Sequence, residues 1–284
     1  MQDRGEDPGA VGLGPGFPAG VTVFARGVTR STNEDARELA RLAAPHLTLV
    51  WAEVQEAGRG RQQRRWMSPA GNVYWSLLLR PRPEWPDIAQ LAHVTALAVH
   101  AAVRPHVPAH LPVTLKWPND TLIDGRKVAG VLIEAGGVRI GAAGRATAEW
   151  IVVGVGVNVA HHPEGEVVYP TTSLAAEGSA ADRDHLLADL TSAFVALLAR
   201  WSAGGFGPLR DEYLERAHGV GQPISVKLSP DGERAVVGTH AGIDEQGLLL
   251  VRLADGSLRK VSAGDVFFGS PARAPGHAER AALP

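Results

Sequence analysis

Four arginines in one short segment are the residues with the clearest capacity for chemistry. They are Arg59, Arg61, Arg64 and Arg65, within the sequence EVQEAGRGRQQRRW at residues 53–66. A guanidinium group presents a planar, permanently charged fork that suits phosphate and carboxylate oxygens. Gly58 and Gly60 allow the backbone to turn tightly and to approach a ligand. The segment is either an anion-binding loop or a solvated basic loop, and its residues alone leave both interpretations open.

A further basic residue, Lys116, stands in the run KWPND at residues 116–120. It lies at the predicted end of a strand and is stiffened by the adjacent Trp and Pro. We therefore interpret it as a positioned point charge rather than a flexible surface lysine. Asn119 and Asp120 favour a turn, and a turn alone would also explain them.

Two apolar runs carry glycines at positions where a ligand could approach the backbone. Gly130 lies inside KVAGVLIE at residues 127–134, and a glycine within a strand marks a bulge or a close approach. The run GVGVN at residues 154–158 is not a dinucleotide fingerprint, because it lacks a third glycine and a following helix. Its small residues could still make space for a ring, and Asn158 offers both a donor and an acceptor. The alternative is a pair of core strands.

The sequence Ser31-Thr32-Asn33-Glu34 matches a capping box, with Ser31 or Thr32 as the N-cap of a helix at about residues 34–44. Local evidence favours a simple cap. A helix N-terminus also binds anions and carbonyl groups, so a cap and a ligand site are compatible.

Hydrophobic periodicity predicts the elements that position these residues. Strands are predicted at 21–24, 47–54, 72–79, 113–117, 127–134 and 151–159, and helices at 88–103, 184–201 and 209–217. Asp124-Gly125 is a two-residue hairpin signal. The pattern predicts an α+β domain at residues 21–220, with helices packed on a mixed sheet. Alternating pieces between turn signals predict a small β-barrel at 221–270.

The ends of the chain and its composition narrow the functional classes. Residues 1–20 are predicted to be a disordered lead-in and residues 271–284 a loose tail. A net charge of −2 argues against a global basic field of the kind that non-specific nucleic-acid binders use. The absence of cysteine excludes disulfides, thiolate zinc sites and a cysteine nucleophile. With no apolar run near the ~20 residues of a membrane span and no signal-peptide pattern, we expect a cytoplasmic protein without a membrane anchor.

Taken together, the motifs resemble one family, the biotin–protein ligases. The matching runs, in family order, are STN at 31–33, EVQEAGRGR at 53–61, RW-SP-GN at 65–72, KWPND, KVAGVLIE, GVGVN, TTSL at 171–174, GID at 242–244 and DG at 255–256. The resemblance covers about residues 21–268. It implies a class II synthetase-like catalytic domain followed by an SH3-like barrel.

The resemblance also implies a reaction. Such enzymes join biotin to ATP, release pyrophosphate and form biotinyl-5'-AMP, from which a lysine of a biotin carboxyl carrier protein takes the biotin. The default carrier is the subunit of acetyl-CoA carboxylase. Mg²⁺ is expected with the ATP phosphates, although no protein ligand for it can be named. Family members pair through their sheets, so the resemblance allows a homodimer.

Residue roles follow from the same resemblance. Lys116 and Arg61 are the expected catalytic residues. The biotin side comprises Ser31, Thr32, Asn33, Gln55, Arg59, Gly60, Arg61, Lys116, Gly130, Val131 and Leu132. The ATP and adenylate side comprises Arg59, Arg61, Arg64, Trp66, Lys116, Asn119 and Asn158. The loop at 58–66 is expected to be mobile without ligand and ordered over the adenylate.

One departure and two alternatives accompany this interpretation. Gln63 stands where the family usually has a glycine, which is costly if that position requires a positive φ. Lipoate–protein ligases share the fold type and adenylate chemistry, but KWPND and AGRGR favour biotin. A nucleic-acid-binding regulatory module is the alternative from another class. Bulk acidity and the lack of room ahead of residue 21 for a helix-turn-helix argue against it, so no DNA partner is expected.

Overall fold

The fold is built on a seven-stranded sheet and a separate five-stranded one. The computed structural model describes residues 16–140, 146–165, 169–229 and 234–269. The chain divides into two compact units, one extending through His218 with Glu245–Gly247 and the other formed by Gly219–Asp244 and the chain from Leu248. The predicted lead-in lies outside the described residues through residue 15, as does the whole of the predicted tail.

The larger sheet contains every strand that the periodicity predicts for the first unit. Its strands are β1 Thr22–Thr29, β2 Thr48–Gln55, β3 Val73–Leu79, β4 Val113–Lys116, β5 Asp120–Ile123, β6 Arg126–Gly136 and, after a short hairpin of β7 Arg139–Ile140 and β8 Ala146–Thr147, β9 Trp150–Val157. Their order is β1-β2-β3-β9-β6-β5-β4. Since β1 and β2 are parallel and the other neighbours antiparallel, the sheet is mixed, as predicted.

One face of the sheet is covered by the first helix. The helices are α1 Thr32–Arg41, α2 Leu91–Val103, α3 Arg183–Gly204 and α4 Gly207–Arg216. Ala36 and Ala40 of α1 pack against Val50, Leu78 and Val152, which lie on β2, β3 and β9. Small residues on α1 allow it to lie close to the strands, so it covers this end of the face.

The opposite face packs against α3. Trp75 alternates with Leu78 along β3 and therefore points to the other side of the sheet. Its ring meets Phe194 edge to face, with centroids 5.4 Å apart. Its indole N–H donates to Thr191 Oγ1 at 2.9 Å. Because both faces are covered, every residue of β3 is buried.

Helix α3 is the one described helix long and apolar enough to cross a membrane by length and composition. Its apolar residues Leu186, Leu190, Phe194 and Trp201 are buried within the protein. A helix in the core of a protein can have the same length and apolar composition.

The second unit is a small antiparallel β domain. Its strands are β10 Pro223–Lys227, β11 Ala235–Ile243, β12 Leu249–Arg252, β13 Leu258–Val261 and β14 Asp265–Phe268, in the order β13-β12-β11-β10-β14. Ile224, Val226 and Val251 are fully buried in it. The α+β class with a small SH3-like C-terminal barrel is confirmed. Strand β14, four residues between Gly264 and Gly269, was not predicted from the sequence.

In the hairpin between β5 and β6, the energetic cost of a positive φ can be measured without a change in side-chain packing. Asp124 and Gly125 have φ values of +48° and +75°, as a primed two-residue turn requires. A Cβ at Gly125 would meet nothing within 4 Å. We expect Gly125→Ala to lower the free energy of unfolding by about 1 kcal/mol, because only the left-handed conformation penalises it. Urea denaturation measures this effect.

The matched control is Gly27→Ala in β1. A Cβ there also meets nothing within 4 Å, and Gly27 is not among the residues with positive φ. We expect this variant to be as stable as the parent or slightly more stable. Equal losses in the two variants would refute the conformational explanation.

Candidate active site

Three glycines form the centre of the site, on the same sheet face as α1 but beyond the part of that face that Ala36 and Ala40 cover. Strand register aligns Gly154 of β9 with Ser76 and Leu132, and Gly156 of β9 with Gly130 of β6. Residues two apart on a strand share a face, so Gly130, Gly154 and Gly156 lie on one surface. We call these three residues the glycine floor. A floor without side chains lets other groups lie directly on the backbone.

Asn33, in the first turn of α1, lies on this floor. A Cβ at Gly154 would come 2.1 Å from Asn33 Oδ1, so only glycine allows this position. The Asn33 Nδ2 amide donates to Glu134 Oε2 at 2.9 Å, and Ser76 Oγ lies 2.6 Å from Asn33 Oδ1. Arg37 also donates to Glu134, at 2.8 Å. The Asn33 amide is therefore fixed at both ends.

Gln55, at the end of β2, joins the same polar cluster. Its Oε1 accepts hydrogen bonds from Thr32 N at 2.9 Å and from Thr32 Oγ1 at 3.1 Å. Its Nε2 donates to Ser68 Oγ at 2.9 Å. Thr32 Oγ1 is also 2.7 Å from Ser76 Oγ. The structure thus brings together three residues that the sequence analysis assigned to one side of the site: Thr32, Asn33 and Gln55.

The predicted capping box of α1 has the expected N-cap residue but lacks the predicted side-chain hydrogen bonds. Ser31 is the N-cap residue and is buried, but its side chain makes no cap hydrogen bond. Glu34 pairs instead with Arg59, with 3.2 Å between Oε1 and Nη2. The first turn of α1 therefore contacts the arginine loop, which we define as residues 58–66.

The arginine loop is a hairpin with a strained tip. Trp66 N donates to Gly58 O at 2.9 Å, and Gly60 N donates to Arg64 O at 2.7 Å. Gln62 and Gln63 at the tip have φ values of +55° and +61°. The position where the resembled family has glycine is thus in the left-handed region, which costs a non-glycine residue about 1–2 kcal/mol.

The loop arginines point in different directions. Arg59 is held by Glu34, and Arg61 Nη1 donates to Asn119 Oδ1 at 3.2 Å. Asn119 in turn donates from Nδ2 to the Val131 carbonyl at 2.6 Å, which joins the loop to β6. Arg64 is exposed and donates to Gln62 Oε1 at 2.9 Å. The structure brings Arg59 and Arg61 to the site and places Arg64 on the outer surface of the loop.

Lys116, at the end of β4, is only 5% exposed. Its Nζ lies 3.9 Å from Asp120 Oδ2 and 3.3 Å from the centroid of the Tyr169 ring. Asp120 Oδ1 also contacts Lys127 Nζ at 2.5 Å. Burial, and secondarily the charge of Lys116, lower the pKa of His218. The cluster of two lysines and one aspartate therefore has a net positive charge, and it includes no cationic histidine at neutral pH.

Trp66 covers the other end of the floor. A Cβ at Gly156 would come 2.5 Å from its indole ring, and one at Gly130 would come 3.2 Å from it. Its Nε1 is buried without a hydrogen-bond partner among the described residues. Beside the ring is a hollow whose lining includes Lys127, Asn158 and Thr171. An aromatic face beside a lysine and an amide suits a planar heterocycle that carries phosphate.

The sequence analysis missed several residues of this site as functional candidates. Lys127, Ser68 and Glu134 stand inside runs that it quoted, and Asp120 was read as a turn residue. Tyr169 lies in a stretch without any motif, and no local signal predicts it under Lys116. Asn158 is buried, and its Nδ2 donates to Thr172 O at 3.0 Å, so its amide also shapes the chain beside the hollow.

The arrangement can bring two anions together. Lys127 lies against Gly130 of the glycine floor and shares Asp120 with Lys116, while amides and hydroxyls around Asn33 line the Gly154 end. Among the described residues, no group of three or more His, Asp or Glu side chains could hold a metal ion. The excess positive charge of this lysine–aspartate cluster suits the binding of anionic groups such as phosphates or carboxylates.

Comparisons with known proteins agree on the type of protein. Residues 26–158 match the model of the biotin/lipoate A/B protein ligase family, and residues 219–269 match the biotin protein ligase C-terminal domain. The chain is similar to the biotin–[acetyl-CoA-carboxylase] ligase of Paracoccus denitrificans, with 37% identity over 85% of this chain and 98% of the relative. It is also similar to the ligase of the same name from Mycobacterium tuberculosis, with 35% identity over 84% and 85%.

A solved structure agrees with this similarity. The biotin protein ligase from Aquifex aeolicus in complex with biotin and ATP superposes with a TM-score of 0.72 and 26% identity. The superposition covers 87% of this chain and 98% of that chain.

The positive φ of Gln63 generates a prediction for the arginine loop. Gln63→Gly removes the steric cost of the left-handed conformation, so we expect the hairpin to open less often and trypsin to cleave at Arg61 and Arg64 about five-fold more slowly. Gln63→Val, with a branched Cβ, should be cleaved faster than the parent. Equal cleavage rates for the glycine and valine variants would contradict the strain at the tip.

Proposed function

The chain belongs to the biotin protein ligases of the biotin/lipoate A/B protein ligase family, and from that premise we propose that it activates biotin with ATP and transfers it to a carrier protein. The activated species is biotinyl-5'-AMP, and the acceptor is a lysine of a biotin carboxyl carrier protein. The observation that carries the proposal is Lys116, a buried cation that shares the Asp120 carboxylate with Lys127, whose ammonium lies against Gly130 of the glycine floor.

In the first step an oxygen of the biotin carboxylate attacks the α-phosphorus of ATP. The bond from that phosphorus to the β-phosphate oxygen breaks, and pyrophosphate leaves with the electron pair. Two anions must approach each other, so the barrier falls when cations are already in place. Lys116 lies between the two groups, Arg61 and Arg59 contact their oxygens, and Asp120 and Tyr169 hold the Lys116 ammonium in position.

The biotin head requires both donors and acceptors, because its ureido group contains N–H groups and a carbonyl. Ser31, Thr32 and Gln55 supply them at the N-terminus of α1. Asn33 is held on the floor by Glu134 and Ser76 and forms the wall. Backbone groups of Gly60, Gly130 and Val131 and the side chain of Leu132 complete the pocket; the Val131 side chain lies on the opposite face of the sheet.

The nucleotide takes the other end of the glycine floor. Trp66 offers its face to the adenine, and Asn158 lines the hollow beside the ring. Asn119 positions Arg61, and Arg64 reaches the phosphates when the loop closes. Both oxygens of Asp120, the carboxylate beside Lys116, face lysine ammonium groups. A Mg²⁺ ion would therefore be held by the ATP phosphates rather than by Asp120, and it would neutralise phosphate charge there, in keeping with its preference for substrate phosphates.

In the second step the carrier lysine amine attacks the carbonyl carbon of the mixed anhydride. An amide forms, the bond to AMP breaks, and the amine loses a proton. Water would destroy the anhydride, so a cover over it is useful. The arginine loop is that cover: mobile without ligand and ordered over the adenylate.

The acceptor and the setting of the reaction follow from the relatives. Their name identifies acetyl-CoA carboxylase as the protein that they modify, so its carrier subunit is the proposed acceptor. The net charge of −2 and the absence of cysteine support a cytoplasmic enzyme that does not bind DNA. Salt-sensitive DNA binding by the purified chain would overturn the latter inference.

Lipoate–protein ligase activity is the second candidate, because the matched family model covers both activities. The two similar relatives are both named biotin–[acetyl-CoA-carboxylase] ligases, which favours biotin. ATP–pyrophosphate exchange, run with biotin and then with lipoate, separates the two. Mass spectrometry of a carrier domain incubated with this protein, biotin and ATP tests the complete reaction. A mass increase by one biotin supports the proposal, and an unchanged carrier refutes it.

Lys116→Ala tests the central cation. We expect it to slow biotin-dependent ATP–pyrophosphate exchange by about 100-fold or more, as loss of one transition-state donor does. The matched control is Lys227→Ala, an exposed lysine of the second unit that should leave exchange unchanged. Circular dichroism verifies the fold. A folded Lys116→Ala variant with normal exchange would remove this residue from its proposed role.

A further inference from the structure

We propose that Ser68 is a positioning residue that couples the biotin-binding amide of Gln55 to the stem of the arginine loop. The role rests on the proposed function, because it assigns biotin to the Gln55 side of the site. Ser68 contacts neither ligand in this scheme and acts through its neighbours.

The Ser68 hydroxyl lies between the two parts that it would couple. It accepts a hydrogen bond from Gln55 Nε2 at 2.9 Å and donates one to the Trp66 carbonyl at 3.0 Å. The backbone repeats the pairing, since Gln55 N donates to Ser68 O at 3.2 Å. Ser68 is only 7% exposed, so water competes little for these bonds.

Gly58 shows how closely these groups pack. A Cβ added there would come 2.5 Å from Ser68 Oγ, 2.6 Å from Trp66 O and 3.0 Å from Gln55 Nε2. The φ of Gly58 is not in the left-handed region, so glycine is required here by space and not by backbone conformation. One missing side chain therefore lets the amide, the hydroxyl and the carbonyl meet at the start of the loop.

The geometry links the biotin side to the nucleotide side. Gln55 Oε1 accepts a hydrogen bond from Thr32, and Gln55 Nε2 donates one to Ser68. A ureido group that binds to either atom therefore disturbs the hydrogen bond made by the other. The change passes through Ser68 to the Trp66 carbonyl. Trp66 carries the ring that lies on Gly130 and Gly156, at the nucleotide end of the floor. Biotin occupancy would thereby alter the closure of the loop before ATP binds.

Ser68→Ala tests this coupling with two measurements. Without ligand, we expect trypsin to cleave at Arg61 about three- to ten-fold faster, because the stem loses a hydrogen bond of ordinary strength. In biotin-dependent exchange, we expect the KM for biotin to rise by a similar factor, with the KM for ATP at saturating biotin within two-fold of the parent. Ser68→Thr keeps the hydroxyl and should restore both quantities.

Two further variants separate the proposed coupling from a general loss of stability. Gly58→Ala displaces the same three groups and should reproduce both effects of Ser68→Ala, even if the latter folds poorly. Thr191→Val removes the buried hydrogen bond to Trp75, remote from the loop, and should lower Tm without changing either KM. Unchanged cleavage and unchanged KM for biotin in Ser68→Ala and Gly58→Ala, or equal rises in both KM values, would overturn the coupling. Absence of any exchange in the parent protein would instead refute the proposed function, while the cleavage assay would still test the stem.

Discussion

Lys116 is 5% exposed, and a buried charge is costly unless neighbouring groups compensate for the lost hydration. Asp120 compensates on one side and the face of Tyr169 on another. Because Lys127 shares the same carboxylate, the cluster retains one positive charge in excess. In the proposed reaction, an incoming pair of anions would meet that excess charge without reorganisation of the site, which is the electrostatic condition for efficient catalysis. The fold serves this condition by ending β4 at the lysine and beginning β5 at the aspartate.

The glycine floor depends on the absence of side chains at Gly154 and Gly156. At Gly154 a Cβ would collide with Asn33, and at Gly156 with the ring of Trp66. Both collisions lie on one face because β9 alternates, and both affect groups delivered by other elements, α1 and the arginine loop. The glycines of GVGVN therefore act as spacing residues rather than as a phosphate-binding turn. The second face of the same strands is packed against helices, so the floor cannot move away to accommodate a larger residue.

Much of this arrangement could be predicted from sequence, and what could not has a physical reason. Strand periodicity, the Asp124-Gly125 turn and the stiffened Lys116 are local signals, and each appears in the structure where the pattern places it. The role of Glu34 could not be predicted, since its local pattern matches a cap and only the fold brings Arg59 to it. Tyr169 was missed for the same reason. The end of the floor where Trp66 lies on glycine could not be predicted either, because it depends on the register that aligns Gly130 of β6 with Gly156 of β9.

Opposing contributions at the tip and stem of the arginine loop determine how readily it opens. At the tip, Gln62 and Gln63 each adopt a left-handed conformation that costs about 1–2 kcal/mol. At the stem, each hydrogen bond among Gln55, Gly58, Trp66 and Ser68 contributes about 0.5–1.5 kcal/mol. Because these amounts are similar, the loop is closer to balance than one with glycine at its tip would be. A ligand then needs to change only one or two hydrogen bonds to shift the population. With Gln63 at the tip in place of the glycine expected from the resemblance, opening of the loop would depend more on the hydrogen bonds of its stem.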